Sequence, residues 1–163
     1  MKTIVVILLM LISSISFGQS EIKLSVRQIQ NSFNNLARTN SQVNKIFIFD
    51  NKSNVSEKEI IYGEKISDEM NILATEDNQG LDAIILNLSD ISKANNIAVF
   101  FEYCNTMIMA VDSTLSKDEA EILLKGLFIQ VKHSGFGKKY TYDLNGLTYS
   151  VFAAPKEFIF GIE

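Results

Sequence analysis

Three side chains in this sequence could by type carry reactive chemistry: Cys104, His133 and Asp112. A cysteine nucleophile works as its thiolate, which needs a neighbouring imidazole or a helix N-terminus to form near neutral pH. Cys104 instead falls inside IAVFFEYCNTMIMAVD, Ile97 to Asp112, where apolar, β-branched and aromatic residues dominate. In such company a cysteine is usually a small buried hydrophobe. Asp112 closes the same run, just before a polar segment, and is the carboxylate best placed for acid–base work. Its ordinary role there would be to end a strand and form the turn that follows. The chain holds one cysteine and one histidine, too few for a zinc site without several carboxylates. Neither GxSxG nor HExxH occurs. No metal and no cofactor is expected, and a thiol or acid–base enzyme stands as the weakest of three functional readings.

His133 opens the stretch HSGFGKK, which gathers glycines and lysines in the manner of a phosphate loop. The order of elements argues otherwise. A phosphate loop leads from a strand into a helix, because the helix N-terminus offers free N–H donors and partial positive charge. Here a helical pattern ends at the stretch and a strand pattern follows, so a phosphate would meet carbonyl groups. The spacing also departs from GxxxxGK followed by Ser or Thr. The stretch is read as a bend, with Lys132 and His133 as favourable cations at a helix end.

A second set of candidates is aromatic. Phe101, Tyr103, Tyr142 and Tyr149 could line a hollow for a small apolar ligand, or simply fill the core.

The elements that would position these residues follow from periodicity. Ile22, Val26, Ile29, Phe33 and Leu36 share one side of a helix. VNKIFIFD, 43–50, reads as a strand, NKSNVSEKE, 51–59, as a polar loop, and Ile60 to Tyr62 as a short strand. A calcium loop beginning at Asp50 is excluded by Lys52 at its third position and by the missing glycine at its sixth. Residues 66–80 carry a short helical pattern. Leu81, Ile84, Ile85, Leu88 and Ile91 continue it, although 83–86 alone would pass for a buried strand. The run 97–112 predicts two strands with a turn at Cys104-Asn105. Ser116 and Glu119 form a Ser-x-x-Glu capping box opening a helix over 117–132, with Ala120, Leu123, Leu124, Leu127 and Val131 inward. KYTYDLNGLTYSVF closes the pattern as a hairpin on Asn145-Gly146 that pairs Leu144 with Leu147, Tyr142 with Tyr149 and Tyr140 with Val151. Residues 157–162 add an edge strand after Pro155. The fold class expected is α+β, a mostly antiparallel sheet with helices on one face, ending in a β-hairpin.

The first residues, MKTIVVILLMLISSISFGQS, run from one lysine through an apolar stretch to Ser16-Phe17-Gly18. That is the order of a cleavable signal peptide, here residues 1–18, and the apolar stretch falls well short of the roughly 20 residues that span a bilayer. Residues 19–163 then form a single domain, periplasmic or secreted, with no membrane insertion after cleavage. Loss of Lys2, the leader's one charged residue, takes 15 basic residues to 14 against 19 acidic, so the net charge moves from −4 to −5. That balance, with lysines scattered, excludes nucleic acid as the expected partner and favours a protein with a basic surface. The leading functional expectation is an exported, non-catalytic binding or inhibitory module of the immunity-protein kind. The alternative is a carrier of a small apolar ligand.

Overall fold

The computed structural model describes residues 24–43, 45–47, 51–54 and 59–163. The leader, Ile22 and Asp50 lie outside them. Helix α1, Val26–Ala37, begins where the Ser25 hydroxyl accepts from the Gln28 N–H at 3.2 Å and Gln28 Oε1 accepts from the Ser25 N–H at 2.8 Å. This reciprocal box satisfies donors that the first helical turn leaves free. Val26, Ile29, Phe33 and Ala37 are its buried side.

The sheet contains β1 (Asn51–Asn54), β2 (Glu59–Lys65), β3 (Met70–Asp77), β4 (Gly80–Leu88), β5 (Lys139–Leu144), β6 (Leu147–Ala154) and β7 (Glu157–Ile162). Its order is β1-β2-β3-β4-β7-β6-β5, and every neighbouring pair is antiparallel. Between β4 and β5 the chain forms α2 (Ala94–Val111) and α3 (Lys117–Ser134). The protein is thus α+β with an antiparallel sheet, as expected from its sequence.

One row of side chains shows how the layers join. Ile72 pairs with Leu86, Leu86 with Phe160 and Phe160 with Val151. All four are fully buried, in one core with Phe33 of α1, Phe100 and Met107 of α2, and Leu124 and Leu127 of α3. Alternate residues point to the other face as the pleat requires, where Leu73 is exposed and Ile85 and Ile159 are half-buried. Glu76 on the helix side accepts from the Val26 N–H at 3.1 Å and from the Tyr62 hydroxyl at 2.8 Å. A carboxylate thereby meets the positive end of α1.

Several expectations give way. Of 43–50, the described residues Val43 and 45–47 form no strand. Phe47 is instead bracketed by the Asn34 side chain, which donates to its carbonyl at 2.7 Å and accepts from its N–H at 2.8 Å. The expected loop 51–59 contains β1 and the first residue of β2. Residues 66–80 are not helical: Met70, Ile72 and Ala74 are buried and Asn71 and Leu73 exposed, the strand period of two. Nor is 81–91 a helix. β4 hairpins onto β3 through a turn in which Asp77 Oδ1 accepts from the N–H groups of Gln79 and Gly80, the latter at φ 129°. The run 97–112 is α2, with Cys104-Asn105 in mid-helix rather than in a turn. This helix is apolar nearly all round because sheet and neighbouring helices enclose it. β7 is no edge strand: it lies between β4 and β6 and joins two hairpin systems into one sheet.

The close of the chain follows expectation. The hairpin register is the one predicted, with Asn145 and Gly146 both at positive φ, 54° and 81°, as a type I′ turn demands. The pairing predicts a core side with Tyr140, Tyr142, Leu144, Leu147, Tyr149 and Val151 and a wet side with Thr141, Asp143, Thr148 and Ser150, and two details differ: Tyr142 is 51 % exposed, and Ser150 is buried beside Gly161, where an added Cβ would come within 2.8 Å of the Ser150 hydroxyl oxygen. α3 opens on the Ser116–Glu119 box and stops at Gly135, φ 84°, whose N–H donates to the Val131 carbonyl at 2.8 Å. HSGFGKK is the bend between α3 and β5, held by the Gly137 N–H on the Ala153 carbonyl at 2.8 Å.

Gly126 is in the middle of α3, and a Cβ there would meet nothing within 4 Å. Alanine lowers the backbone freedom of the unfolded chain and suits the helix better. Gly126→Ala is therefore expected to stabilise the fold by about 0.5–1 kcal/mol, read as a higher urea midpoint at unchanged slope.

Candidate functional site

The densest polar constellation lies where α2 ends, α3 begins and the β5–β6 turn arrives. Asp112 caps α2, its N–H donating to the Ile108 carbonyl at 2.8 Å, and is 2 % exposed. It thus ends a helix and not a strand. Its Oδ1 accepts from the Thr114 N–H at 3.0 Å and the Thr114 hydroxyl at 2.6 Å, and its Oδ2 from Asn145 Nδ2 at 2.8 Å. Burial, the largest single influence, opposes ionisation, but these donors together outweigh it and hold the carboxyl below its ordinary range. Burial first, and then the neighbouring carboxylate, push the Tyr149 hydroxyl well above the usual tyrosine range. That hydroxyl closes no hydrogen bond of ordinary geometry. A general base needs a pKa near the working pH and a lone pair free for substrate. Asp112 is held below its ordinary range and already accepts three hydrogen bonds, and what the constellation does is pin the hairpin turn to the helix corner.

Cys104 is fully buried in α2, where burial pushes its thiol well above the ordinary value. His133 is exposed in the last turn of α3. Thiol and imidazole therefore lie in opposite environments.

The four aromatic candidates belong to separate surroundings. Tyr103 stacks with Phe33, ring centres 5.9 Å apart, and packs at a tilt on Phe47 at 5.8 Å, and its hydroxyl accepts from the Lys45 N–H at 3.1 Å. Phe101 packs on Phe128 at 4.5 Å. Tyr149 is buried above Asp112, and Tyr142 is 51 % exposed on β5. Of the four, only Phe101 borders a cleft of about 240 Å³ between α2 and α3, together with Glu102, Asn105, Glu121, Leu124 and Lys125. Asn105 is 4 % exposed and its Oδ1 has no partner. This residue escaped the sequence reading as a site, although a polar pair, Asn105-Thr106, inside an apolar run was a visible signal. A second cleft of about 180 Å³ lies between β3 and α2, bordered by Ser67, Glu69, Met70 and Asn96. Both are smaller than the roughly 300–1,000 Å³ of most ligand sites.

Two surfaces are more extensive. Across the sheet face turned from the helices, Leu73, Ile85, Gly161 and Ser150 lie side by side on β3, β4, β7 and β6, with Asn87, Ile159 and Phe152 in the next row. Leu73 is 42 % exposed. Asp82, Asp143, Glu157 and Glu163 border this face, with Lys139 paired to Glu163 at 2.7 Å. The second surface is the outer side of α3, which presents Ile122 and Ile129.

Among the described residues no cluster of His, Cys, Asp and Glu could hold a metal ion, and no helix is long and apolar enough to cross a membrane. Comparison with known proteins finds no matching family model, no matching curated protein and no matching solved structure.

Proposed function

We propose that this protein is an exported, non-catalytic binding or inhibitory module that acts in the periplasm or outside the cell and docks the open face of its sheet on a protein partner with a basic surface. One observation carries this reading: that face has an apolar centre, Leu73, Ile85, Ile159 and Phe152, inside a border richer in carboxylates than in lysines. Apolar side chains in the middle of a patch supply affinity and charges at its rim supply orientation and on-rate. The carrier reading has less support, because Tyr103 and Tyr149 are taken up by packing, Tyr142 is on the surface and the cleft beside Phe101 is small. The enzyme reading has least, because the thiol is closed in and the Asp112 oxygens are engaged.

The immobilised protein is expected to retain a stoichiometric partner from envelope or medium extracts at low salt, and to release it as salt rises. Leu73→Lys should abolish retention while leaving the fold intact, since this side chain is outside the core and 42 % exposed. Absence of any stoichiometric partner, or equal retention by Leu73→Lys, sinks the proposal.

A further inference from the structure

The outer side of α3 carries apolar surface that nothing in the described chain explains. Its inner stripe is Ala120, Leu123, Leu124, Leu127 and Val131. At 3.6 residues per turn the opposite side presents Asp118, Ile122, Lys125, Gly126, Ile129 and His133, all of them exposed. Ile122 is 70 % exposed and Ile129 53 %. Gly126 sits between them with open space where a Cβ would be, although almost any other residue would favour the helix.

These residues are placed symmetrically along the helix. Asp118 and His133, Ile122 and Ile129, Lys125 and Gly126 are each equally far from the peptide bond joining 125 to 126. We propose that α3 packs antiparallel against α3 of a second copy of this chain, about a two-fold axis through that point. Each residue then meets its opposite number: Ile122 lies on Ile129 of the second copy, Asp118 on His133, and Gly126 leaves room for the stem of Lys125. The Lys125 ammonium is already paired with Glu121 at 2.6 Å, so it brings no bare charge to the contact. Charge also selects the direction. The first turn, with Asp118 and Glu119 against Lys117, is acidic on balance, and the last is basic, Lys132 and His133. The antiparallel arrangement sets acidic turn beside basic turn at both ends, whereas a parallel one sets like on like. A contact of this symmetry is closed and self-complementary. One helix pair covers less than the roughly 800 Å² per partner of a standard interface, so the dimer forms with rising concentration and exchanges with monomer.

Sedimentation of the protein as purified from its host, over a wide concentration range at low salt, is expected to show the mass climbing from that of one chain toward twice that value. Ile122→Glu should hold it at monomer, and Gly126→Leu should weaken the dimer. Asp118→Lys and His133→Glu are each expected to weaken it at least tenfold, while the two together restore it. Melting curves of each variant separate loss of pairing from loss of fold, and Leu73→Lys, on the other surface, should dimerise normally. A chain that is monomeric at every concentration overturns the proposal, as does a dimer indifferent to Ile122→Glu or a double charge swap that fails to restore it. A different protein that binds this face and is lost with Ile122→Glu, while the chain alone stays monomeric, assigns the face to another occupant and overturns it equally.

Discussion

Phe160→Ala is expected to cost about 3–5 kcal/mol, the range for removing a large aromatic side chain from a closed core. The side chain is fully buried at the centre of β7, with Leu86 of β4 on one side and Val151 of β6 on the other. β7 is the strand through which the β1–β4 half of the sheet meets the β5–β6 hairpin, so the cavity opens at the seam between the halves. A domain of this size commonly has about 5–15 kcal/mol in hand, and the variant should unfold at a far lower urea concentration. The adjacent Ile159 provides the control. It points to the opposite face and is half-buried, so Ile159→Ala should cost only about 1 kcal/mol. Equal losses in the two variants would mean that the faces of β7 have been assigned the wrong way round.

The same alternation separates the parts that build the core from the parts available for recognition. Met70, Ile72 and Ala74 of β3 and Ile84, Leu86 and Leu88 of β4 are packed into the core with the helices, and Leu73, Ile85 and Asn87 lie on the face on which docking is proposed. Two of the three reactive side chains fall on the structural side of this division: Cys104 fills the core of α2 and Asp112 ties a helix end to a hairpin turn. What the surface offers is apolar area bounded by charge, first on the sheet and again on α3. It is on this surface, and not on those side chains, that the docking proposed above rests.

How much of this was legible in the sequence depends on how local the determining physics is. The Asn145-Gly146 hairpin was readable to the residue because positive φ at two consecutive positions is a demand few dipeptides meet. α3 was readable from its capping box and its glycine stop, and Ser25-x-x-Gln28 carries the same kind of signature at α1. α2 was misread because its β-branched and aromatic composition favours strands, while its period, with Phe100, Tyr103, Cys104, Met107, Ile108 and Val111 buried, is helical. Tertiary enclosure overrode propensity there. The reverse happened at β4, where Leu81, Ile84, Ile85 and Leu88 fit a helical template only because nearly every position of the run is apolar. Its partner β3 decides the matter through non-local pairing that no short window contains. The place of β7 is equally non-local, since nothing within 157–162 announces that β4 is its neighbour. Of the candidate site residues, Asp112 was found by its position at the end of an apolar run, but its partner Asn145 is 33 residues away in sequence and only the fold brings them together.

That pairing supports the last prediction. Asp112→Ala strips acceptors from the Thr114 N–H, the Thr114 hydroxyl and the Asn145 amide at once. Bonds to a charged acceptor, with donors left unsatisfied behind them, put the loss at about 2–3 kcal/mol. The effect should depend on pH with a definite sign. The folded carboxyl titrates below its ordinary value of 3.8, so its stabilisation is complete above that value and fades as pH falls through the lower folded one. Asp112→Asn keeps the shape but sets the newly introduced amide against the amide of Asn145, donor facing donor. Its deficit relative to wild type should therefore be largest near neutrality and shrink as pH falls through the folded carboxyl's own value, below which the wild-type group is itself protonated. Unfolding curves collected across that range test this, and a deficit that stays constant with pH would show that the charge of Asp112 contributes nothing. Tyr149→Phe completes the test from the other side. Its hydroxyl is buried without a closed hydrogen bond, so removing it should change stability by less than about 0.5 kcal/mol, or raise it. A large loss in that variant would mean that the tyrosine, rather than the Thr114 and Asn145 donors, is what holds the carboxylate in its ionised form.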